Sequence, residues 1–173
     1  MRPHEQDADF ADFVHSAWPR LYRTAHLMLG DHGLAEDLTQ TALAKTYVAW
    51  ARVRERDAAY AYARTTLVNT ATSWFRRRSW RNELPGEDVG ADLHDRTPDP
   101  SDRPAVMDAL AALPPRQRAV VVLRFYDDLS VAQTAEALGC SAGTVKSQSS
   151  AALARLRELI GDSPLPTSNG AHP

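Results

Sequence analysis

The stretch from residue 82 to 104 constrains this chain more than any other feature. It holds Pro85, Gly86, Gly90, Pro98, Pro100 and Pro104 and almost no large apolar side chain, so it cannot bury enough surface to offset the entropy of ordering it. The 173 residues are therefore expected to form two small domains, at 8–81 and 105–161, joined by a flexible linker. Residues 162–173, rich in Pro, Ser and Gly, read as a disordered tail.

Both expected domains carry helical periodicity. Phe10, Val14, Trp18, Leu21, Ala25 and Met28 recur at helical spacing before Gly30, which predicts a helix over 8–29 with a glycine stop. A second amphipathic pattern runs from Leu34 to Trp50 through Leu38, Ala42, Leu43, Tyr47 and Ala49, and leaves Asp37, Gln40, Thr41 and Ala44 on its other face. A third runs from Ala58 to Arg78 with Ala59, Ala63, Leu67, Ala71, Trp74 and Phe75 inward, and Thr65, Asn69, Thr72 and Arg76 on a polar stripe. Alternation over four or more residues is absent, so the fold class is all-α.

The second domain opens at Asp102 with Pro104 in a first helical turn and runs to Leu113, where Pro114 and Pro115 end it. A further helix is expected over 115–126. Ser130 and Gln133 have capping-box spacing. They open a short helix that Gly139 closes, and Ser141 caps a last helix over 142–160. Helix, left-handed glycine and fresh cap make a helix-turn-helix. The last helix turns Val145, Ser149, Ala152, Leu156 and Leu159 inward and Ala142, Gly143, Lys146, Ser147 and Ser150 outward.

The net charge of −2 hides a segregation. Residues 52–81 carry eight arginines against Glu55 and Asp57, whereas residues 82–103 carry Arg96 and Arg103 against seven acids. An arginine block beside an acidic block suits a chain that meets a polyanion at one place and a basic surface at another, although a solvated charged helix followed by a solubilising linker gives the same pattern.

Several function classes are excluded at this level. The longest apolar run, Ala119 to Leu123, is far short of the roughly 18 residues that read as a membrane span. The polar N-terminus is not a secretory signal, so a cytoplasmic, nucleoid-associated protein without membrane insertion is expected. Cys140 is the only cysteine and the six histidines lack ligand spacing, so neither metal nor cofactor is expected. No Ser-His-Asp set, glycine-rich phosphate loop or paired acids can be assembled, which argues against an enzyme and a small-molecule substrate.

Two constellations carry a positive reading. Small and polar side chains at the exposed start of the last helix suit entry into a major groove, with Lys146 reaching phosphate or guanine. Asn69 beside the arginine run, with Tyr60, Tyr62, Trp74 and Trp80 nearby, suits a single strand, where aromatics stack on unpaired bases and arginines hold phosphates. An ordinary antiparallel helix pair and plain core aromatics fit the same residues. On residues alone, a two-domain operator-binding regulator and an adaptor binding proteins through 35–50 stay open.

Two blocks together resemble a known family. AEDLTQTALAKTY at 35–47, NTA at 69–71 and the arginine cluster look like region two of bacterial RNA polymerase sigma factors. LPPRQRAVVVLR at 113–124, Leu129 and Ser130, AEALG at 135–139 and GTVKS at 143–147 look like region four. The likeness covers residues 10–160. The absence of an intervening third region is similar to the extracytoplasmic-function group of the sigma-70 family.

The resemblance implies core RNA polymerase and promoter DNA as partners, with room for an anti-sigma factor. It implies polymerase docking by Asp37, Gln40, Thr41 and Ala44. It implies capture of unpaired minus-ten bases by Arg54, Arg56, Tyr60, Tyr62, Thr65, Asn69 and, further along that stripe, Arg76. It implies minus-thirty-five contacts by Ala142, Gly143, Lys146, Ser147 and Ser150, and an acidic linker that threads toward the polymerase active centre and RNA exit path. The chain departs from the family in having Tyr62 where a tryptophan is usual. It also has Gln148, Ser149, Ser150 and Ala151 where a second basic residue is common.

Overall fold

The computed structural model describes residues 3–82 and 105–161, with side chains placed for 4–77 and 105–161. The expected linker, apart from Asn82, and the expected tail lie outside the described residues, as does the side chain of Trp80. Among the described residues there is no strand. The helices are α1 (Pro3–Leu29), α2 (His32–Ala49), α3 (Arg56–Asn82), α4 (Ala105–Ala112), α5 (Pro115–Val121), α6 (Val131–Leu138) and α7 (Ala142–Ile160). No described helix is long and apolar enough to cross a membrane. Backbone contacts divide the chain into two compact units, Met1–Ala71 and Thr72–Pro173, a boundary that falls inside α3.

In the first unit α1 and α2 pack on each other through a two-residue turn. Gly30 adopts φ 70° and its amide donates to the His26 carbonyl at 2.7 Å. Asp31 then caps α2, its Oδ1 accepting from the Leu34 amide at 2.8 Å. A left-handed stop followed at once by a side-chain cap reverses the chain while supplying partners to the His26 carbonyl and the Leu34 amide.

The core of this unit mixes large and very small residues. Leu21, Met28, Leu38, Leu67 and Val68 are fully buried among Ala25, Ala35, Ala42, Ala59 and Ala63, and the alanines let helix axes approach closely. Each buried leucine stabilises by roughly 1.5–3 kcal/mol. Four threonines are also buried. Each returns its hydroxyl to the carbonyl one turn back: Thr24 to Arg20, Thr39 to Ala35, Thr46 to Ala42 and Thr70 to Thr66, at 2.7–3.1 Å. This internal bond removes the cost of burying a polar group.

The buried face of α1 is rotated from the expected one. Phe13, Ala17, Leu21, Thr24, Ala25 and Met28 are buried, while Phe10, Val14 and Trp18 are only half-buried. Phe10 sits at the rim, 4.9 Å from the Tyr47 ring and 5.0 Å from Trp50, and Trp18 stacks on Tyr22 outside the core. Tyr47, expected inward, is exposed because its hydroxyl reaches Asp7.

In the second unit α5, α6 and α4 all pack against α7. Leu110, Leu113, Val120, Leu123, Leu138, Val145, Ala152 and Leu156 form its core. The helix expected over 115–126 changes character at Val122, where one wide π turn runs to Tyr126. The Asp127 amide then reaches the Val122 carbonyl at 3.0 Å, and Arg124 Nη1 closes the following bend on the Leu129 carbonyl at 2.6 Å. Leu159, expected inward, is half exposed, since the core contacts of α7 end at Leu156. Trp74 and Phe75, also expected inward, are half-buried.

Candidate nucleic-acid interface

The helix-turn-helix is built by its caps. Ser130 Oγ accepts from the Gln133 amide at 3.1 Å while Gln133 Oε1 accepts from the Ser130 amide at 2.9 Å. Gly139 takes φ 62°, and the Cys140 amide closes back on the Ala135 carbonyl at 3.0 Å. Ser141 Oγ then accepts from the Thr144 amide at 3.1 Å and starts α7.

That start leaves Ala142, Gly143, Lys146, Ser147 and Ser150 exposed on α7, with Val145 and Ala152 buried behind them. Ser147 Oγ donates to the Thr144 carbonyl at 3.1 Å. In that position its lone pairs face outward, and on rotation the hydroxyl donates instead, so Ser147 suits either base type.

The basic side chains of this unit do different work. Arg118 donates to the carbonyls of Leu110, Ala111 and Leu113, and Arg124 to that of Leu129. Both are structural ties. Lys146, Arg116, Arg155 and Arg157 are exposed.

In the first unit the polar faces of α2 and α3 stand out separately. On α2, Asp37, Gln40 and Ala44 are exposed and Thr41 is half-buried. The same stripe continues to Val48, which is 85% exposed. That residue escaped the sequence reading, although a valine at helical spacing from Asp37, Thr41 and Ala44 was the available signal. Lys45 leaves this helix for α3, its Nζ donating to Thr70 Oγ1 at 3.2 Å.

On α3, Tyr62, Thr65 and Asn69 are three and four residues apart and share a face. Tyr62 and Asn69 are exposed, and Thr65 is half-buried. Arg54, before the helix, and Arg56, in its first turn, are exposed. Tyr60 differs from Tyr62. Arg20 and Arg64 lie 5.0 and 5.6 Å from its ring centroid and its hydroxyl is buried, so its ring is engaged by cations of its own unit. Arg76, on the part of α3 assigned to the second unit, is exposed.

Comparison with known proteins decides the family. Residues 13–81 match the family described as Sigma-70 region 2 and residues 103–156 match Sigma-70, region 4. RNA polymerase sigma-E factor of Streptomyces coelicolor is 44% identical over 153 residues, 88% of this chain and 86% of that protein. The chain belongs to the sigma-70 family.

Within that family, ECF RNA polymerase sigma factor SigM of Mycobacterium tuberculosis is 34% identical over 82% of this chain and 72% of its own length, which places this sigma factor in the extracytoplasmic-function group. A solved structure of the sigma factor RpoE with the anti-sigma factor NepR from Bartonella quintana is similar at a TM-score of 0.68 and 28% identity, covering 90% of this chain and 99% of that one. Sigma factors are DNA-binding initiation factors. This one binds core RNA polymerase and directs promoter-specific initiation of transcription.

Proposed function

We propose that this sigma factor divides initiation among three surfaces. The α2 stripe of Asp37, Gln40, Thr41, Ala44 and Val48 docks on core polymerase. Tyr62, Thr65 and Asn69, with Arg54 and Arg56 at the start of α3 and Arg76 along it, take the unpaired minus-ten strand, while Tyr60 serves mainly as packing for Arg20 and Arg64. The exposed start of α7, from Ala142 and Gly143 through Lys146 and Ser147 to Ser150, reads the upstream element. The functional domains are 8–81 and 105–161, and 82–104 is the acidic linker between them. The protein works in the cytoplasm at the nucleoid, without catalytic chemistry or cofactor of its own. The RpoE–NepR likeness favours an anti-sigma factor as its regulator.

The observation that carries the minus-ten assignment is the common face of α3. An exposed aromatic ring and an exposed amide lie seven residues apart on one helix, with exposed arginines before it, in its first turn and further along it. That combination supplies stacking, an edge donor and acceptor, and phosphate contacts together. Asn69→Ala tests it. Because the amide meets a base only after the duplex opens, open-complex formation falls more than closed-complex binding. Equal losses at both steps would reduce Asn69 to a structural residue.

A further inference from the structure

Arg56, placed above at the melted strand, is already occupied in the free protein. Its Nη2 lies 3.0 Å from Asp9 Oδ1 near the start of α1, across 47 residues of sequence. Such a pair at an exposed site is ordinarily weak and mobile, but here the helical turns on either side of Asp9 are pinned by their neighbours. The Tyr47 hydroxyl donates to Asp7 Oδ1 at 2.6 Å. Phe10 packs against Tyr47 and edge-on against Trp50, which Phe13 also touches at 5.0 Å. The first turns of α1 are therefore pinned to the end of α2, one short turn before α3 begins, and Asp9 is presented to Arg56 by a rigid support.

We propose that Asp9 is a built-in competitor of the DNA strand for Arg56, carried on a stretch of α1 that Asp7 and Phe10 anchor to the end of α2. A carboxylate and a strand phosphate are both anions that a guanidinium fork accepts. Both side chains retain solvent contact, at 59% exposure for Arg56 and 42% for Asp9, so a phosphate reaches Arg56 without the protein unfolding. When it does, Asp9 loses its partner and stands as an uncompensated negative charge beside the strand. The contact sets a threshold: weak single-strand encounters do not displace Asp9, whereas a strand also held by Tyr62 and Asn69 does. Asp9 touches no DNA in this scheme and acts through Arg56.

The inference rests on the assignment of Arg56 to the strand, and one set of variants separates the two. Holoenzyme is assembled from core polymerase and the full chain carrying Asp9→Asn, Arg56→Ala or both. Binding is read by anisotropy of a labelled single strand covering the minus-ten element of a promoter that the holoenzyme transcribes, across a range of salt. Asp9→Asn tightens binding by about two- to fivefold at low salt, the size expected for freeing one exposed ion pair, and steepens the logarithmic salt dependence by up to about 0.7. Arg56→Ala weakens binding, and Asp9→Asn adds nothing in that background. Unchanged or weaker binding by Asp9→Asn, with Arg56→Ala still harmful, would overturn the competition alone. So would tightening that persists without Arg56, since this would be general charge repulsion. Wild-type binding by Arg56→Ala would remove the strand assignment and the competition with it.

Discussion

Arg118 Nε donates to the Leu110 carbonyl at 2.7 Å, so an arginine in a DNA-binding unit spends its charge on closing a helix. One Nη of the same guanidinium reaches the carbonyls of Ala111 and Leu113 at 3.0 and 3.1 Å. The Leu110 carbonyl also accepts from the Leu113 amide at 3.1 Å, and Arg118 adds donors where the end of α4 leaves carbonyls short of them. Arg118→Ala is expected to destabilise the second unit by about 1.5–3 kcal/mol, the usual range for hydrogen bonds to a charged group. Arg118→Lys recovers part of this, because an ammonium lacks the fork that serves three carbonyls. Hydrogen exchange of α4 and α5 amides in the full chain measures the loss. Unchanged protection in Arg118→Ala would mean that water satisfies those carbonyls equally well.

The proposed docking stripe gives a prediction in which an apolar residue matters. Val48 is exposed on the side of α2 that also carries Asp37 and Ala44, so changing it perturbs no core. Val48→Asp is expected to lower core-polymerase affinity by tenfold or more, on the order of 1.4 kcal/mol, with helicity intact. Asp37→Ala and Gln40→Ala produce smaller losses, as residues at the edge of an interface do. Competition for core polymerase against a labelled wild-type chain reads all three. Full competition by Val48→Asp would place the docking surface elsewhere.

The helices and caps were legible in the sequence because local chemistry dictates them. Ser130, Gln133, Gly139 and Ser141 each specify a backbone conformation or a bond within three or four residues, and the turn formed as those residues require. Faces were less legible where two apolar stripes lay close. In α1, Phe10, Val14 and Trp18 compete with Phe13 and Ala17 for the core, and only the position of α2 decides between them. The roles of Asp9, Arg118 and Tyr60 were not legible at all. Asp9 and Arg118 depend on partners outside their own helix, and Tyr60 on Arg20 of α1 as well as on Arg64 one turn along α3. Periodicity within one helix does not encode the whole of any of them.

The two tyrosines near the start of α3 separate stacking from packing. Tyr62 is 44% exposed, whereas the Tyr60 ring has the Arg20 and Arg64 guanidiniums 5.0 and 5.6 Å from its centroid. Tyr62→Ala is expected to weaken open-complex formation by about 1–3 kcal/mol, the range for loss of one base-stacking aromatic, with fold stability unchanged. Tyr62→Trp, which restores the residue usual in the family, strengthens it through a larger ring. Tyr60→Ala lowers thermal stability first, and DNA binding only through it. Permanganate footprinting of the opened strand, with thermal melting as control, distinguishes them. Equal footprint losses from both alanine variants at unchanged stability would make Tyr60 a strand contact as well.

The exposed start of α7, proposed above to meet DNA, offers one charge, Lys146, among Ala142, Gly143, Ser147 and Ser150, while Arg155 and Arg157 lie toward the far end of the helix. A single lysine contact supplies phosphate affinity with little sequence information unless it reaches a guanine edge. Lys146→Ala is expected to reduce promoter use broadly and to lower the salt slope of promoter binding by about one. Gly143 tests how closely the backbone approaches the groove. A Cβ built there meets nothing nearer than Ser141 Oγ at 3.8 Å, so Gly143→Ala leaves the fold intact, and any loss of promoter binding reports a clash with DNA. Ala151 is exposed one turn from Ser147, and Ala151→Arg raises affinity by adding a phosphate or base contact. With Ser147 able to meet either base type and no second basic residue at the exposed start of α7, upstream recognition is expected to be permissive, and single upstream base changes are expected to cost less than the roughly 1–3 kcal/mol typical of a specific site. Transcription from promoters with each upstream base varied measures this directly. Losses of 2 kcal/mol or more at several positions would show that groove shape or other side chains carry the specificity, and that the face of α7 assigned to DNA is the wrong one.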